Sequence, residues 1–426
     1  MLRKLTNSKK YNMIMESILD RFLRYISYDT ASNPESHSQP STNKQFVLLE
    51  LLKEELLAMG LEDASLDKNG YVMATLPSNL EDGKKVPTIG FIAHVDTAPD
   101  MSGANIKPQL VHNYDGSDIV LNQEKGIVLR TQEYPELLAY KGQTIITTDG
   151  TTLLGADDKA GVAEIMNLVQ TLVANPDIKH GDIKIGFTPD EEIGRGVDYF
   201  DVKKFGADFA YTLDGGAIGE LEYENFNAAG ATLTIHGCNI HPGFAKDKML
   251  NSMLVAMELN ALLPVEQRPE YTTHYEGFFH LIGFKGTVEE STIQYIIRDH
   301  DFDKFTAKKE LLNDCVTFMN KKYGTGVVEL DLKDQYYNMR KEVEPHIHII
   351  HIAEQAMEMA GVRPKIQPIR GGTDGARLSF MGLPCPNLFA GGHNFHGKFE
   401  YVPVESMEKA SEVALNIVKL FAASNL

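Results

Sequence analysis

The chain has 426 residues, of which 43% are hydrophobic, so it is long enough for two domains with buried cores. A formal net charge of −18 argues against nucleic-acid and anionic-membrane partners, which need a basic surface, and no apolar run reaches about 18 residues. The three cysteines are widely spaced, and the N-terminus lacks a long apolar secretion segment, so we predict a cytoplasmic protein without disulfides.

The first half of the chain alternates helical and strand patterns. Apolar spacing predicts helices within residues 14–30, 43–59 and 160–173, and strands at 70–76 and 86–93. Residues 100–150 are rich in turns and predict a small antiparallel excursion. The alternation predicts an α/β fold with a mixed, largely parallel sheet flanked by helices. The opening dozen residues are expected to be a disordered leader, which leaves Met1, Met13 and Met15 as candidate starts.

The pattern changes after residue 225. Strands are predicted at 228–236, 279–286, 291–299 and 326–337, with helices at 250–263 and 302–322, which is a ferredoxin-like β-α-β-β-α-β order. We therefore predict one domain from residues 1–225 and 339–426, and an inserted lid or dimerisation-type domain from residues 226–338.

Acidic or histidine clusters follow several buried strand patterns of the first domain. His94-Val95-Asp96, Asp190-Glu191-Glu192 and Asp214 each come at or just after an apolar run. Ligands in open α/β sheets lie beyond the carboxyl ends of the strands, so these side chains are expected to share one metal site.

Each cluster also has a simpler explanation. His94 can bind a metal while Asp96 orients its ring, or the pair can be a strand-end histidine beside a solvated aspartate. Of Asp157 and Asp158, one could bridge two metals and the other cap a helix, or both could be solvated cap residues.

The same holds for the later clusters. One of Glu191 and Glu192 could bind metal while the other acts as general base, or the segment could be an acidic turn. Asp214 and His396 could each be ordinary turn residues. The joint occurrence of all five clusters favours the metal site.

Three further places are ambiguous. His241 precedes a Pro-Gly turn, and Arg370 precedes a glycine-rich turn where its guanidinium could bind a carboxylate or be an ordinary loop side chain. His346, His348 and His351 lie in a helical pattern where the first two face apart, so we interpret them as surface or packing residues.

Taken in order, these motifs resemble those of the peptidase T family, tripeptide aminopeptidases among the dinuclear-zinc exopeptidases related to aminoacylase and carboxypeptidase G. The resemblance runs over nearly the whole chain. The motifs that carry it are Ala93-His94-Val95-Asp96-Thr97, Gly155-Ala156-Asp157-Asp158-Lys159-Ala160-Gly161, Pro189-Asp190-Glu191-Glu192-Ile193-Gly194, Leu213-Asp214-Gly215-Gly216, His241-Pro242-Gly243, Arg370-Gly371-Gly372-Thr373-Asp374-Gly375 and His396-Gly397.

The resemblance implies a role for each residue. His94 and Asp214 would complete one zinc site, Glu192 and His396 the other, and Asp157 would bridge the two ions. It also implies a cis peptide bond at Asp157-Asp158.

The implied activity is removal of the N-terminal residue from tripeptides by a bridging hydroxide on two Zn²⁺ ions. Asp96 would orient His94, and Glu191 would be the general base. His241 would stabilise the oxyanion, and Arg370 would hold the substrate carboxylate.

Several alternatives stay open at this point. Co²⁺ or Mn²⁺ could replace Zn²⁺, and the chain could be a monomer or a homodimer. A related amidohydrolase would act on dipeptides or N-acyl amino acids, and a scaffold protein would keep the fold without the chemistry.

Overall fold

The computed structural model describes residues 15–81 and 84–424, which divide into two compact units. Unit 1 comprises Met1–Leu221, His346–Lys365 and Met381–Leu426, and unit 2 comprises Glu222–Pro345 and Ile366–Phe380. The segment around Arg370 thus contributes to unit 2, whereas the predicted boundaries assign it to the first domain. The predicted leader lies outside the described residues.

The helices include the predicted ones, in the predicted order. They are α1 (Ile18–Ile26), α2 (Gln45–Ala58), α3 (Ala156–Ala174), α4 (Val202–Phe205), α5 (Ser252–Leu262), α6 (Phe302–Tyr323), α7 (Arg340–Val343), α8 (His348–Met359), α9 (Asp374–Phe380) and α10 (Val404–Ala423). Within the described ranges, no helix combines the length and the apolar character needed to cross a bilayer.

The strands range in length from two residues to ten. They are β1 (Ser65–Leu66), β2 (Val72–Leu76), β3 (Ile89–His94), β4 (Gln109–Val111), β5 (Ile119–Asn122), β6 (Ile127–Leu129), β7 (Ile145–Thr147), β8 (Ile183–Thr188), β9 (Phe209–Gly215), β10 (Glu220–Glu222), β11 (Asn227–His236), β12 (Phe278–Gly286), β13 (Glu290–Asp299), β14 (Val328–Tyr336), β15 (Lys365–Ile366), β16 (Asn387–Phe389) and β17 (Tyr401–Pro403).

An eight-stranded mixed sheet has the order β1-β2-β8-β3-β9-β16-β10-β15. Its centre is parallel, because β3 pairs in parallel with both β8 and β9, and β9 pairs in parallel with β16. β1, β2 and β8 pair antiparallel. Every residue of β3 is buried, as expected for a parallel strand covered on both faces. The predicted α/β fold with a mixed sheet is confirmed.

The turn-rich segment between residues 100 and 150 forms small antiparallel pairings. β5 and β6 form a two-stranded ribbon, and β7 pairs antiparallel with both β4 and β17. β17 follows the His396 loop, so this small sheet connects that loop to β7 and β4.

Unit 2 is a four-stranded antiparallel sheet of order β12-β13-β11-β14, with α5 between β11 and β12 and α6 between β13 and β14. Buried and half-buried residues alternate along β11, as expected for a sheet with one covered face. Leu233, Ile293, Phe305 and Leu312 are among the residues of its core. The chain order of these elements is β-α-β-β-α-β.

A glycine determines how closely α3 lies on the central sheet of unit 1. A Cβ atom added at Gly161 would lie 1.9 Å from the main-chain oxygen of Leu213 in β9 and 2.5 Å from a carboxylate oxygen of Asp158. Any larger residue would therefore push the start of α3 away from the strand that carries Asp214.

We expect Gly161→Ala to lower the free energy of unfolding by about 1–3 kcal/mol, because the added methyl group overpacks the contact between α3 and β9. The control is Gly397→Ala in the same unit, where a Cβ would meet nothing closer than 3.8 Å. Denaturant unfolding of both proteins with excess chelator measures the difference. Equal midpoints for the two variants would contradict the packing argument.

Candidate metal centre

The predicted ligands converge at the carboxyl ends of the parallel strands. His94 is the last residue of β3 and pairs with Thr188, the last residue of β8. Asp214 is the penultimate residue of β9. Because these strands run in parallel, the segments that follow them lie at one edge of the sheet.

The carboxylate of Asp157 lies between two histidines. Its Oδ1 is 2.9 Å from His94 Nε2, and its Oδ2 is 3.1 Å from His396 Nε2. Asp157 has non-helical backbone angles at the start of α3, and the bond to Asp158 is cis, as the resemblance implies. One carboxylate thus presents one oxygen to each of two imidazoles.

A second carboxylate accompanies each histidine. His94 Nε2 lies 3.4 Å from Asp214 Oδ1, and His396 Nε2 lies 2.9 Å from Glu192 Oε2. The cluster therefore divides into two sets that share Asp157. One set is His94 with Asp214, and the other is His396 with Glu192.

Buried negative charge makes this cluster suitable for cations. Glu192 Oε1 is buried without a hydrogen-bond partner among the described residues. Burial, together with the charge of Asp157, raises the pKa of Glu192 to about 8, and hydrogen bonds to Asp157 and Glu192 raise the pKa of His396 to about 11. Burial also raises the pKa of Asp214. Divalent metals could compensate this charge in place of protons, and imidazole with carboxylate is a ligand set suited to Zn²⁺, Co²⁺ or Mn²⁺.

Asp158 also approaches the cluster, and His94, Asp158 and Asp214 could by themselves hold an ion. Each oxygen of Asp158, however, also accepts a main-chain N–H group. Oδ2 accepts the main-chain N–H of His94, and Oδ1 accepts that of Gly161. Asp158 thus caps the regular part of α3, which leaves Asp157 as the better candidate for the shared ligand.

Asp96 connects the histidine to the two glutamates. His94 Nδ1 lies 3.1 Å from the main-chain oxygen of Asp96 and 3.3 Å from its Oδ1. The same buried carboxylate accepts the main-chain N–H groups of Glu191 at 3.0 Å and Glu192 at 3.3 Å. It therefore holds both the ring of His94 and the turn that carries the glutamates.

Asp190 supports that turn from the other side, and sequence reasoning gave it no role of its own. It is fully buried with φ of 57°, and its carboxylate accepts the main-chain N–H of Ser41 at 2.6 Å and the amide of Gln45 at 2.7 Å. These partners lie almost 150 residues earlier, so no local pattern indicates them.

Sequence reasoning also missed Glu400. This buried carboxylate accepts the main-chain N–H groups of Leu154, Gly155 and Asp157. It lies four residues after His396, a spacing that by itself indicates nothing about α3.

His241 and Arg370, the predicted substrate residues, both belong to unit 2. Gly243 donates its main-chain N–H to His241 Nδ1 at 3.2 Å, so the proton of the neutral imidazole lies on Nε2. The guanidinium of Arg370 donates to the main-chain oxygens of His274 and Glu276 and to Thr272 Oγ1.

The remaining histidine cluster has the role that its spacing predicts. The rings of His346 and His348 pack against Phe209, with centroids 5.3 and 5.0 Å apart. His351 is exposed and pairs with Glu354 at 3.0 Å.

Comparison with known proteins relates this geometry to a family. The family model described as Peptidase family M20/M25/M40 matches residues 138–420. A protein named Peptidase T from Alkaliphilus oremlandii is 62% identical over 408 residues, which cover 96% of this chain and all of the relative.

Solved structures show the same fold. The aminopeptidase PepT of Bacillus cereus superposes with a TM-score of 0.75 at 24% identity, over 96% of this chain and 99% of that one. A Bacillus subtilis protein described as a dinuclear metal binding peptidase of the M20 family has a TM-score of 0.64 at 12% identity, over 96% of this chain and 98% of that one. The chain therefore belongs to the M20/M25/M40 peptidase family and, within that family, to the peptidase T proteins.

Proposed function

We propose that this peptidase removes the N-terminal residue from tripeptides, with two zinc ions as cofactors and Glu191 as the general base. The observation that carries the proposal is the carboxylate of Asp157, whose two oxygens face two separate histidine–carboxylate pairs. When bound, two divalent ions would activate a water molecule and polarise the scissile carbonyl group.

Each ion would have its own histidine and its own carboxylate, and one further carboxylate would be shared. His94 and Asp214 would hold the first ion, His396 and Glu192 would hold the second, and Asp157 would contribute an oxygen to each. The buried, unpartnered Oε1 of Glu192 supports this assignment, because a cation would satisfy it.

The turn held by Asp96 supports different roles for the neighbouring glutamates. Glu192 Oε2 faces His396, whereas Glu191 is half-buried and is the one we assign as base. Its carboxylate would take a proton from the attacking water and return it to the leaving amine. Asp96, by accepting both main-chain N–H groups, would keep this carboxylate in position.

The contacts of Arg370 support recognition of the substrate carboxylate. A guanidinium has five N–H donors, and Arg370 uses three of them on the loop 272–276. Two donors remain, the number that the two oxygens of a carboxylate accept. The guanidinium also lies 5.1 Å from the ring centre of Phe226, which restricts its orientation.

The tautomer of His241 supports a role at the carbonyl oxygen. Because Nδ1 accepts from Gly243, Nε2 carries the proton and can donate it to a developing oxyanion. His241 would therefore act as a hydrogen-bond donor and not as a base.

We expect Glu191→Ala to lower kcat for a tripeptide by about 10²–10⁴-fold, because the variant lacks the carboxylate that would accept the proton of the attacking water. Metal analysis should find both ions still bound. Near-normal kcat in this variant would refute the assignment of Glu191.

The matched variants for that experiment are His94→Ala and His351→Ala. We expect the first to lose bound metal, and the second, which changes an exposed histidine on α8, to keep metal and activity. Full metal content in His94→Ala would contradict the ligand assignment.

Substrate length and chemistry give an independent test. We expect the wild-type protein to hydrolyse a tripeptide faster than the corresponding dipeptide, tripeptide amide or N-acetyl amino acid, since only the tripeptide combines a free amine with a free carboxylate two peptide bonds away. Preference for the dipeptide or the N-acetyl compound would favour the related amidohydrolase activities.

The arginine can be tested with the same compounds. In Arg370→Ala, kcat/KM for the tripeptide should fall about 10- to 100-fold, while the value for the tripeptide amide changes little. An equal loss for both compounds would show that Arg370 acts only on the structure of unit 2.

A further inference from the structure

Glu400 is a carboxylate buried in unit 1 whose hydrogen-bond partners are main-chain amides. The residue is 1% exposed to solvent. Oε2 accepts from Leu154 N at 2.6 Å and from Gly155 N at 2.9 Å, and Oε1 accepts from Asp157 N at 3.1 Å. Within the described ranges, no lysine, arginine or histidine forms an ion pair with it.

The three amides belong to the turn that precedes the regular part of α3. Gly155 adopts φ of +78° in this turn, so its N–H can point the same way as that of its neighbour. Successive N–H groups directed at one anion form a concave binding site for it. Glu400 therefore holds the main chain of Asp157, while the Asp157 carboxylate contacts the two histidines.

Glu400 also belongs to the segment that carries His396. The main chain turns back there, because Glu400 donates its N–H to Gly397, and His393 and Tyr401 exchange two main-chain hydrogen bonds. His396 has φ of +62°, a left-handed conformation that side chains other than glycine rarely adopt. One side chain thus links two segments whose bonded residues, Asp157 and Glu400, are 243 positions apart, the first with Asp157 and the second with His396.

We propose that Glu400 is a positioning residue that holds the Asp157 turn against the His396 loop, so that the site of the second metal ion is preformed. The inference rests on the proposed two-metal function and extends it to a residue that touches neither ion. Loss of this link would let Asp157 and His396 move independently and would weaken binding of the ion they share.

Glu400→Gln tests this inference. The variant keeps the size of the side chain, but its amide nitrogen is a donor and would face one or more of the three N–H groups. We expect the affinity for the second ion to fall about 10- to 100-fold, as is typical when a partner that orients a ligand is changed. kcat at subsaturating metal should fall with it, while KM for the tripeptide stays near the wild-type value.

The matched control is Glu405→Gln in the same unit. Glu405 also uses both carboxylate oxygens on a main-chain amide, that of Thr144, at 3.1 and 3.0 Å. It carries no contact to the Asp157 turn among the hydrogen bonds of the described residues. We expect this variant to bind both ions normally, whatever stability it loses.

The experiment is a titration of the chelator-treated full-length proteins with Zn²⁺ in competition with a chromophoric chelator, followed by visible spectra of the Co²⁺ forms. Weaker second-ion binding and a changed spectrum in Glu400→Gln alone support the inference. Wild-type affinities and an unchanged spectrum in that variant overturn it. Equal weakening in both variants also overturns it, because a general loss of stability would then explain the result.

Two further outcomes keep the inference separate from the proposed function. If Glu400→Gln does not fold, Glu400→Asp replaces it, because the charge is retained and only the reach is shortened. An intermediate affinity would then support the inference, and normal affinity would refute it. If the wild-type protein itself binds fewer than two ions, the proposed function fails, and the inference fails with it.

Discussion

The arrangement of the candidate site depends on one carboxylate. Asp157 lies between His94 and His396, with one oxygen in hydrogen-bond contact with each ring. A carboxylate in this position must be buried enough to be ordered and charged enough to attract cations. Asp157 meets both conditions. Hydrogen bonds from His396 and His94 outweigh the effect of burial and lower the pKa of its carboxyl group, so the group stays charged.

The surrounding structure positions this carboxylate from three directions. The parallel strands place His94 and Asp214 at one sheet edge, and Gly161 lets α3 lie directly against β9. The Asp96 carboxylate holds the turn with both glutamates by accepting the main-chain N–H groups of that turn. Glu400 holds the turn with Asp157 in the same way. Buried carboxylates that accept main-chain N–H groups therefore hold both of these turns in place.

Much of the fold could be predicted from the sequence because its elements have clear local patterns. The apolar run that ends at His94 and the alternation along β11 are each formed by residues that lie close together in the sequence. The helix predicted within residues 14–30 is α1, which ends at Ile26 with a main-chain turn at Ser27. The five predicted ligands come together because each follows or ends a strand, or begins a helix, at the same edge.

The parts that could not be predicted depend on long-range contacts with the main chain. Glu400 and Asp190 bind amides that are far away in the sequence, and an amide has the same donor whichever residue carries it. No spacing or residue type therefore marks such a pair. The boundary of unit 2 was missed at Ile366–Phe380 for a similar reason, because Ile369 donates its main-chain N–H to Glu224 across almost 150 residues.

The central claim is that Asp157 contributes an oxygen to each of two divalent ions. The most direct measurement is anomalous diffraction at the zinc absorption edge from crystals of the zinc-loaded protein. The account predicts two peaks about 3.5–4 Å apart, one on each side of the Asp157 carboxylate. A single peak, or two peaks that do not share Asp157, would contradict it.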